Sequence, residues 1–112
     1  MKETDRSGVI SYAQTRAKIT GASGDAKVLR RVTLDLKLNH LAPPNKLAKH
    51  AQDEIYVVLD GRGVFVHGGK RDRIERGDFL FVAAGVEHVF EEFESLTLWR
   101  IYYGPEGGEV PA

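Results

Sequence analysis

The sequence contains no cysteine, which removes disulfides, thiolate metal sites and cysteine nucleophiles together and leaves His, Asp and Glu to hold any metal. Neither sign of charge is in excess. Lys and Arg total 16, as do Asp and Glu, so no net field draws the chain to nucleic acid or an anionic membrane, and a small molecule is the expected partner. No stretch approaches the roughly 20 apolar residues of a membrane span. Met1-Lys2-Glu3-Thr4-Asp5-Arg6 carries no apolar core of a secretory signal, so the expectations are no membrane partner and a cytoplasmic location. A Gly-rich phosphate loop, a Walker motif and a Ser-His-Asp order are missing too.

What is present suits one small β domain. The 112 residues include twelve glycines and four prolines, with 42% hydrophobic and 29% charged residues, a balance that suits one modest core with many turns. Val32 to Asn39 alternates apolar and polar side chains, as a strand with one wet face requires. Ile55 to Leu59 is a β-branched run ended by Asp60-Gly61, a two-residue hairpin signal, and Val64 to His67 meets a second one at Gly68-Gly69. Arg71 to Glu75 reads as a polar edge strand. Phe79-Leu80-Phe81-Val82 is wholly apolar, which implies burial on both faces. His88 to Phe90 and Leu96 to Tyr103 supply the last strands. Asn45 to Glu54 is rich in helix formers and follows Pro44, so local propensity favours a short helix there. The expected organisation is an N-terminal arm over residues 1–27 that packs on the barrel or a partner subunit, a barrel over 28–104, and a loose C-terminal tail over 105–112.

His50, three residues, Glu54, six residues and Gly61 resemble the second half of the first cupin motif, and Gly77-x5-Ala83-x-Gly85-x2-His88 resembles the second. The resemblance covers roughly residues 30–103. It implies an all-β fold, a double-stranded β-helix or jelly-roll barrel of cupin type, with residues 45–54 as strand and turn. The chain departs from the family pattern at Ala42, Ala48, Ala83 and Glu92, where the family has Gly, His, Pro and Asn. Of four family ligand positions three remain: His50, Glu54 and His88. In one straight strand His50 and Glu54 would lie about 13 Å apart. A turn through Ala51-Gln52-Asp53, or a helix that makes i and i+4 neighbours, brings them together.

Two imidazoles and a carboxylate form a ligand set that suits one divalent ion, Fe, Mn, Ni or Zn, and leaves coordination positions open. Ala48 leaves two arrangements: three protein ligands with water, or Gln52 or Asp53 as a fourth ligand. His40 is the other histidine able to compensate. His67, beside Gly68-Gly69, reads as an exposed turn residue, and strand parity turns Glu87 away from the site. Parity with Glu54 and His88 points Tyr56, Val58 and Phe90 into the pocket, with Gln52 beside them. Tyr56 is a candidate catalytic proton donor. The opposite face, Ile55, Val57 and Leu59, is equally apolar and needs covering, which suggests a homodimer. Trp99, Arg100, Tyr102 and Tyr103 read as a ligand wall or an interface patch, with core or interface the favoured role.

The functional expectation is a small metal-binding protein that takes an oxygen-rich small molecule at a two-His, one-Glu site, as a metal-dependent dioxygenase, isomerase or lyase. The alternative is a non-catalytic binding or sensor module for a sugar or small acid, with or without metal. A metal-free sugar-nucleotide epimerase, with His50 and Tyr56 as base and acid, is a third and weaker fit.

Overall fold

A short helix α1, Tyr12–Ala17, stands near the start of residues 7–112, which the computed structural model describes. The first six residues of the expected arm lie outside the described residues. Ser11 caps α1 by accepting a hydrogen bond from the Gln14 N–H at 3.1 Å, as short polar residues do at helix starts. The strands that follow are β1 (Gly24–Arg30), β2 (Asp35–Leu41), β3 (Asp53–His67), β4 (Lys70–Glu75), β5 (Phe79–Val82), β6 (His88–Glu91) and β7 (Leu96–Tyr103). All pairings between them are antiparallel. One sheet runs β1-β2-β7-β3-β5, and the other sets β4 and β6 on either side of the C-terminal half of β3. The all-β expectation holds, with one short helix added.

Strand β3 belongs to both sheets, which corrects the hairpin read at Asp60-Gly61. The chain does not reverse there. The register shifts between Val58 and Asp60, and Gly61 takes φ +91° where the strand passes from one sheet to the other. Glycine is required for contact as well as for angle, because a Cβ would run into the Ser95 carbonyl oxygen. The hairpin at Gly68-Gly69 does form and joins β3 to β4, with His67 opposite Lys70. The two inward faces meet in a core of Tyr56, Val58, Phe65, Leu80, Phe90 and Leu98 among others.

Three further expectations are corrected. Val32 and Thr33 are not strand: they sit at the tip of the β1–β2 hairpin, closed by the Arg31 N–H donating to the Leu34 carbonyl at 2.9 Å, and Val32 is 98% exposed. Residues 45–52 form no helix. Ala48 and His88 exchange backbone hydrogen bonds at 2.9 and 2.8 Å, and this long-range pairing overrides local propensity. Lastly, β5 is buried on one face alone, with Leu80 and Val82 inward while Phe79 and Phe81 remain 64% and 50% exposed. The outer face of the large sheet accounts for that pattern. Two unbroken apolar rows cross all five strands: Leu29-Leu36-Ile101-Ile55-Phe81 and Ala26-Leu38-Trp99-Val57-Phe79. The N-terminal segment covers one end, where Tyr12 meets the Trp99 ring edge-on and Ile19 is buried.

Candidate small-molecule site

Strand parity and register build the site on the inward face of the large sheet. Glu54 and Tyr56 point inward from β3 and stand opposite Tyr102 and Arg100 on β7. From β6, His88 and Phe90 point back at them. His88 is fixed twice, by its backbone exchange with Ala48 and by its Nδ1–H donating to the Val86 carbonyl at 2.9 Å. Its Nε2 then lies 3.1 Å from Glu54 Oε1 and 3.3 Å from the Tyr56 hydroxyl.

Glu54 is 1% exposed, and neither carboxylate oxygen has a directed hydrogen bond, although Oε1 is within ion-pair distance of His88. Burying a carboxylate is costly unless a positive charge compensates. Burial pulls the His88 imidazole toward neutrality, and the Glu54 carboxylate together with the Val86 carbonyl more than reverses this, so its pKa lies above the ordinary histidine value. The Tyr102 phenol is pushed up to about 12, first by burial and then by the Glu54 charge. Tyr56 is raised further for the same two reasons and keeps its proton.

Around these groups lies a cavity of about 150 Å³. This is far more than one water needs and below the roughly 300–1,000 Å³ of a drug-sized site. Its walls carry the cationic Lys46, Lys49 and Arg100, the polar Asn39, Asn45, Tyr56, Tyr102 and His88, and no carboxylate. Asn45 Oδ1 accepts the Phe90 N–H at 2.8 Å, which ties the loop before β3 to β6 and closes one side.

The expected site residues separate into two groups. Tyr56, His88 and Phe90 line the cavity, while Glu54 and Val58 share their inward face and are buried behind it. His50 and Gln52 are turned elsewhere. The His50 ring stacks on Tyr102 at 3.6 Å and 4°, with its Nδ1 accepting the Gln52 N–H at 3.2 Å. The Gln52 side chain donates to the Thr33 and Gly104 carbonyls, both at 2.8 Å. Asp53 accepts the Ala84 and Glu109 N–H groups at 3.0 and 2.9 Å, which binds the segment after β7 to the start of β3. His40 reaches the Thr97 hydroxyl at 2.8 Å on the far side of the sheet, and His67 pairs with Asp72 at 2.7 Å. Asn39, Asn45, Lys46 and Lys49 are among the cavity residues that the sequence reading passed over, and for Arg100 it preferred core or interface to ligand wall. Leu96, Leu98, Arg100 and Tyr102 share one strand parity, but the other parity is apolar as well, so alternation alone does not mark Arg100 as inward-facing.

A family model described as "Cupin domain" matches residues 39–95. The chain belongs to the cupin family. This cupin is 38% identical over 58 residues to the uncharacterised protein SCO3923 of Streptomyces coelicolor, a match over 51% of this chain and 55% of that protein. It is 33% identical over 66 residues to the HTH-type transcriptional activator RhaR of Escherichia coli strain K12, over 57% of this chain and 23% of RhaR. The chain therefore spans about half of the first relative and about a quarter of the second. Among solved structures, a predicted oxalate decarboxylase of Thermotoga maritima superposes with a TM-score of 0.56 at 31% identity, covering 62% of this chain and 64% of that one.

Members of this family often bind a metal ion. Glu54 and His88 suit an ion: they face each other, and no aligned hydrogen bond holds either carboxylate oxygen. The third expected donor does not, because the His50 ring is stacked on Tyr102. Among the described residues, no three His, Asp or Glu side chains converge so as to hold an ion. No helix among them is long and apolar enough to cross a membrane.

Proposed function

We propose that this cupin binds a small oxygen-rich molecule, a sugar or a small acid, in the cavity between β2, β7, β6 and the 45–49 loop, and acts as a binding or sensor module. The observation that carries this is the enclosed wall of hydrogen-bonding side chains on the inward face, with Arg100, Tyr56 and Asn39 on adjacent strands. Its size suits a ligand smaller than a drug-like molecule. The partial match to RhaR, a transcriptional activator, is in keeping with a sensor role, and the match to a predicted oxalate decarboxylase with a small acid. Calorimetric titration of the purified chain against monosaccharides and small carboxylic acids tests it. Saturable binding of at least one at one site per chain is expected, and no saturable binding to any of them would overturn the reading.

One observation favours a second reading, a metal-dependent enzyme whose ion Glu54 and His88 would hold together with water, His50 joining them only if its ring leaves Tyr102. Glu54 is buried with His88 Nε2 3.1 Å from Oε1 and no aligned hydrogen bond to either oxygen, and a divalent cation would compensate its charge. Such an ion would supply Lewis acidity. Elemental mass spectrometry on protein purified without chelator decides it, with about one transition metal per chain, lost in His88→Ala, as the supporting result.

We also infer that the outer sheet face pairs with a second copy of this chain. Its two five-strand rows carry no charge of either sign. An isologous contact sets each group against its own copy, which an uncharged apolar face tolerates.

A further inference from the structure

We propose that the cavity selects a small α-hydroxy carboxylate, with the carboxylate held by Arg100 and the hydroxyl donated to Asn39; the inference rests on the small-molecule reading above and names its ligand class. Three features carry it.

The first is charge. The three ionised wall residues are Lys46, Lys49 and Arg100, and no carboxylate joins them. Glu54 lies behind the wall, committed to His88. In a low-dielectric cleft, unopposed cations favour an anion over a neutral sugar.

The second is the mounting of Arg100. Its guanidinium lies 4.4 Å from the centroid of the Tyr102 ring, and the His50 ring stacks on the same tyrosine at 3.6 Å. Tyr102 is thus held between the imidazole and the guanidinium. A guanidinium set over an aromatic ring is held by that ring, and its terminal donors can meet a carboxylate with parallel hydrogen bonds. Its Nε is buried and has no hydrogen-bond partner. A buried charged donor left without an acceptor is costly, and a carboxylate supplies that acceptor.

The third is Asn39. Its Oδ1 is also buried and has no donor. Asn39 pairs with Leu98 while Arg100 pairs with Lys37, which places Asn39 diagonally next to Arg100 at about 7–8 Å between backbones. The hydroxyl next to a carboxylate is a donor at the right remove from a guanidinium seated on that carboxylate. His50 becomes a positioning residue: it acts through Tyr102 on the orientation of Arg100.

The experiment is isothermal titration calorimetry on the full chain with L-lactate, propionate, inorganic phosphate and L-rhamnose, repeated on Arg100→Gln, His50→Ala and His50→Phe. Saturable lactate binding is expected, with propionate weaker by about tenfold or more for want of the hydroxyl. Arg100→Gln should lose lactate by more than about tenfold, as removal of a charge-assisted pair does. His50→Ala should weaken binding and His50→Phe restore it, since phenylalanine stacks but cannot ligate a metal. If Arg100→Gln does not fold, discrimination of lactate from propionate by the wild-type chain decides. Equal binding of lactate and propionate, or phosphate as tight as lactate, overturns the hydroxy-carboxylate class. Rhamnose binding alone, unaffected by Arg100→Gln, overturns it while sparing the small-molecule reading. Binding of none of the four overturns it, and extension of that silence to the wider panel of sugars and acids overturns the small-molecule reading as well.

Discussion

Gly61 is the joint on which the site's geometry depends, and its substitution by alanine has two separable costs. Glu54 and Tyr56 lie before it on β3, while the stretch beyond it pairs with β6 and places His67 opposite His88. A side chain at φ +91° is strained, a cost of roughly 1–3 kcal/mol. The new Cβ would also press on the Ser95 carbonyl, whose carbon is 3.2 Å from its position, and overpacking of this kind costs about 1–3 kcal/mol more. Gly69 is the internal control. It has φ +82° with nothing within 4 Å of an added Cβ, so Gly69→Ala carries the strain without the collision. For a chain of this size about 4 °C accompanies each kcal/mol. Gly61→Ala should therefore melt about 4–12 °C below Gly69→Ala in thermal denaturation followed by circular dichroism. Equal melting temperatures would show that the close approach to Ser95 does not hold β3 in its crossing, and the account of how the two sheets set the Glu54–His88 distance would fail.

Phe79→Lys with Phe81→Lys places charge on the open end of the outer apolar face. In light scattering after gel filtration the wild-type chain should run as a dimer and the double variant as a monomer, and an unchanged mass would refute the interface. The His40 pKa is lowered by burial and by the positive charge of Arg16, so its folded value lies below the ordinary 6.5. The stability linked to it is present above 6.5 and is lost as pH falls through 6.5 toward the folded value. Urea denaturation between about pH 7 and pH 5 should show a flatter profile for His40→Gln than for wild type, and parallel profiles would count against it. Asp53→Ala leaves the Ala84 and Glu109 N–H groups without their acceptor. It should cost about 1–3 kcal/mol and speed amide exchange at Glu109, and unaltered exchange there would remove the anchoring role of Asp53.

Much of the fold was legible because strands announce themselves by composition and turns by glycine. The β3–β4 hairpin at Gly68-Gly69 and the strands at Phe79, His88 and Leu96 follow from local signals. What was illegible depends on long-range pairing. Asn45 to Gln52 reads as helix by propensity, and the backbone exchange between Ala48 and His88, 40 positions apart in sequence, prevents it. Asp60-Gly61 reads as a hairpin because a left-handed glycine serves a turn and a sheet-to-sheet crossing equally well. The Ser95 carbonyl against it is what distinguishes them, and nothing local to Gly61 reveals that neighbour.

The same limit explains why the site was half read. Glu54, Tyr56 and His88 were reachable because motif spacing and parity agree on their inward direction. Arg100 was not, because both parities of β7 are apolar: Leu96 and Leu98 on one, Trp99 and Ile101 on the other. With no polar face to mark the outside, alternation cannot say which way a charge points. The register resolves it by setting Arg100 opposite Tyr56. The outer face is apolar too, in the rows that run through Trp99 and Ile101, and that second apolar face is what hides the cation facing the cavity. His50 shows the converse: its motif position invites a ligand role, but the ring beside it is Tyr102, which arrives from the far end of the chain. Spacing within one segment can nominate donors. Which of them reach one point is decided by strands that the segment does not contain.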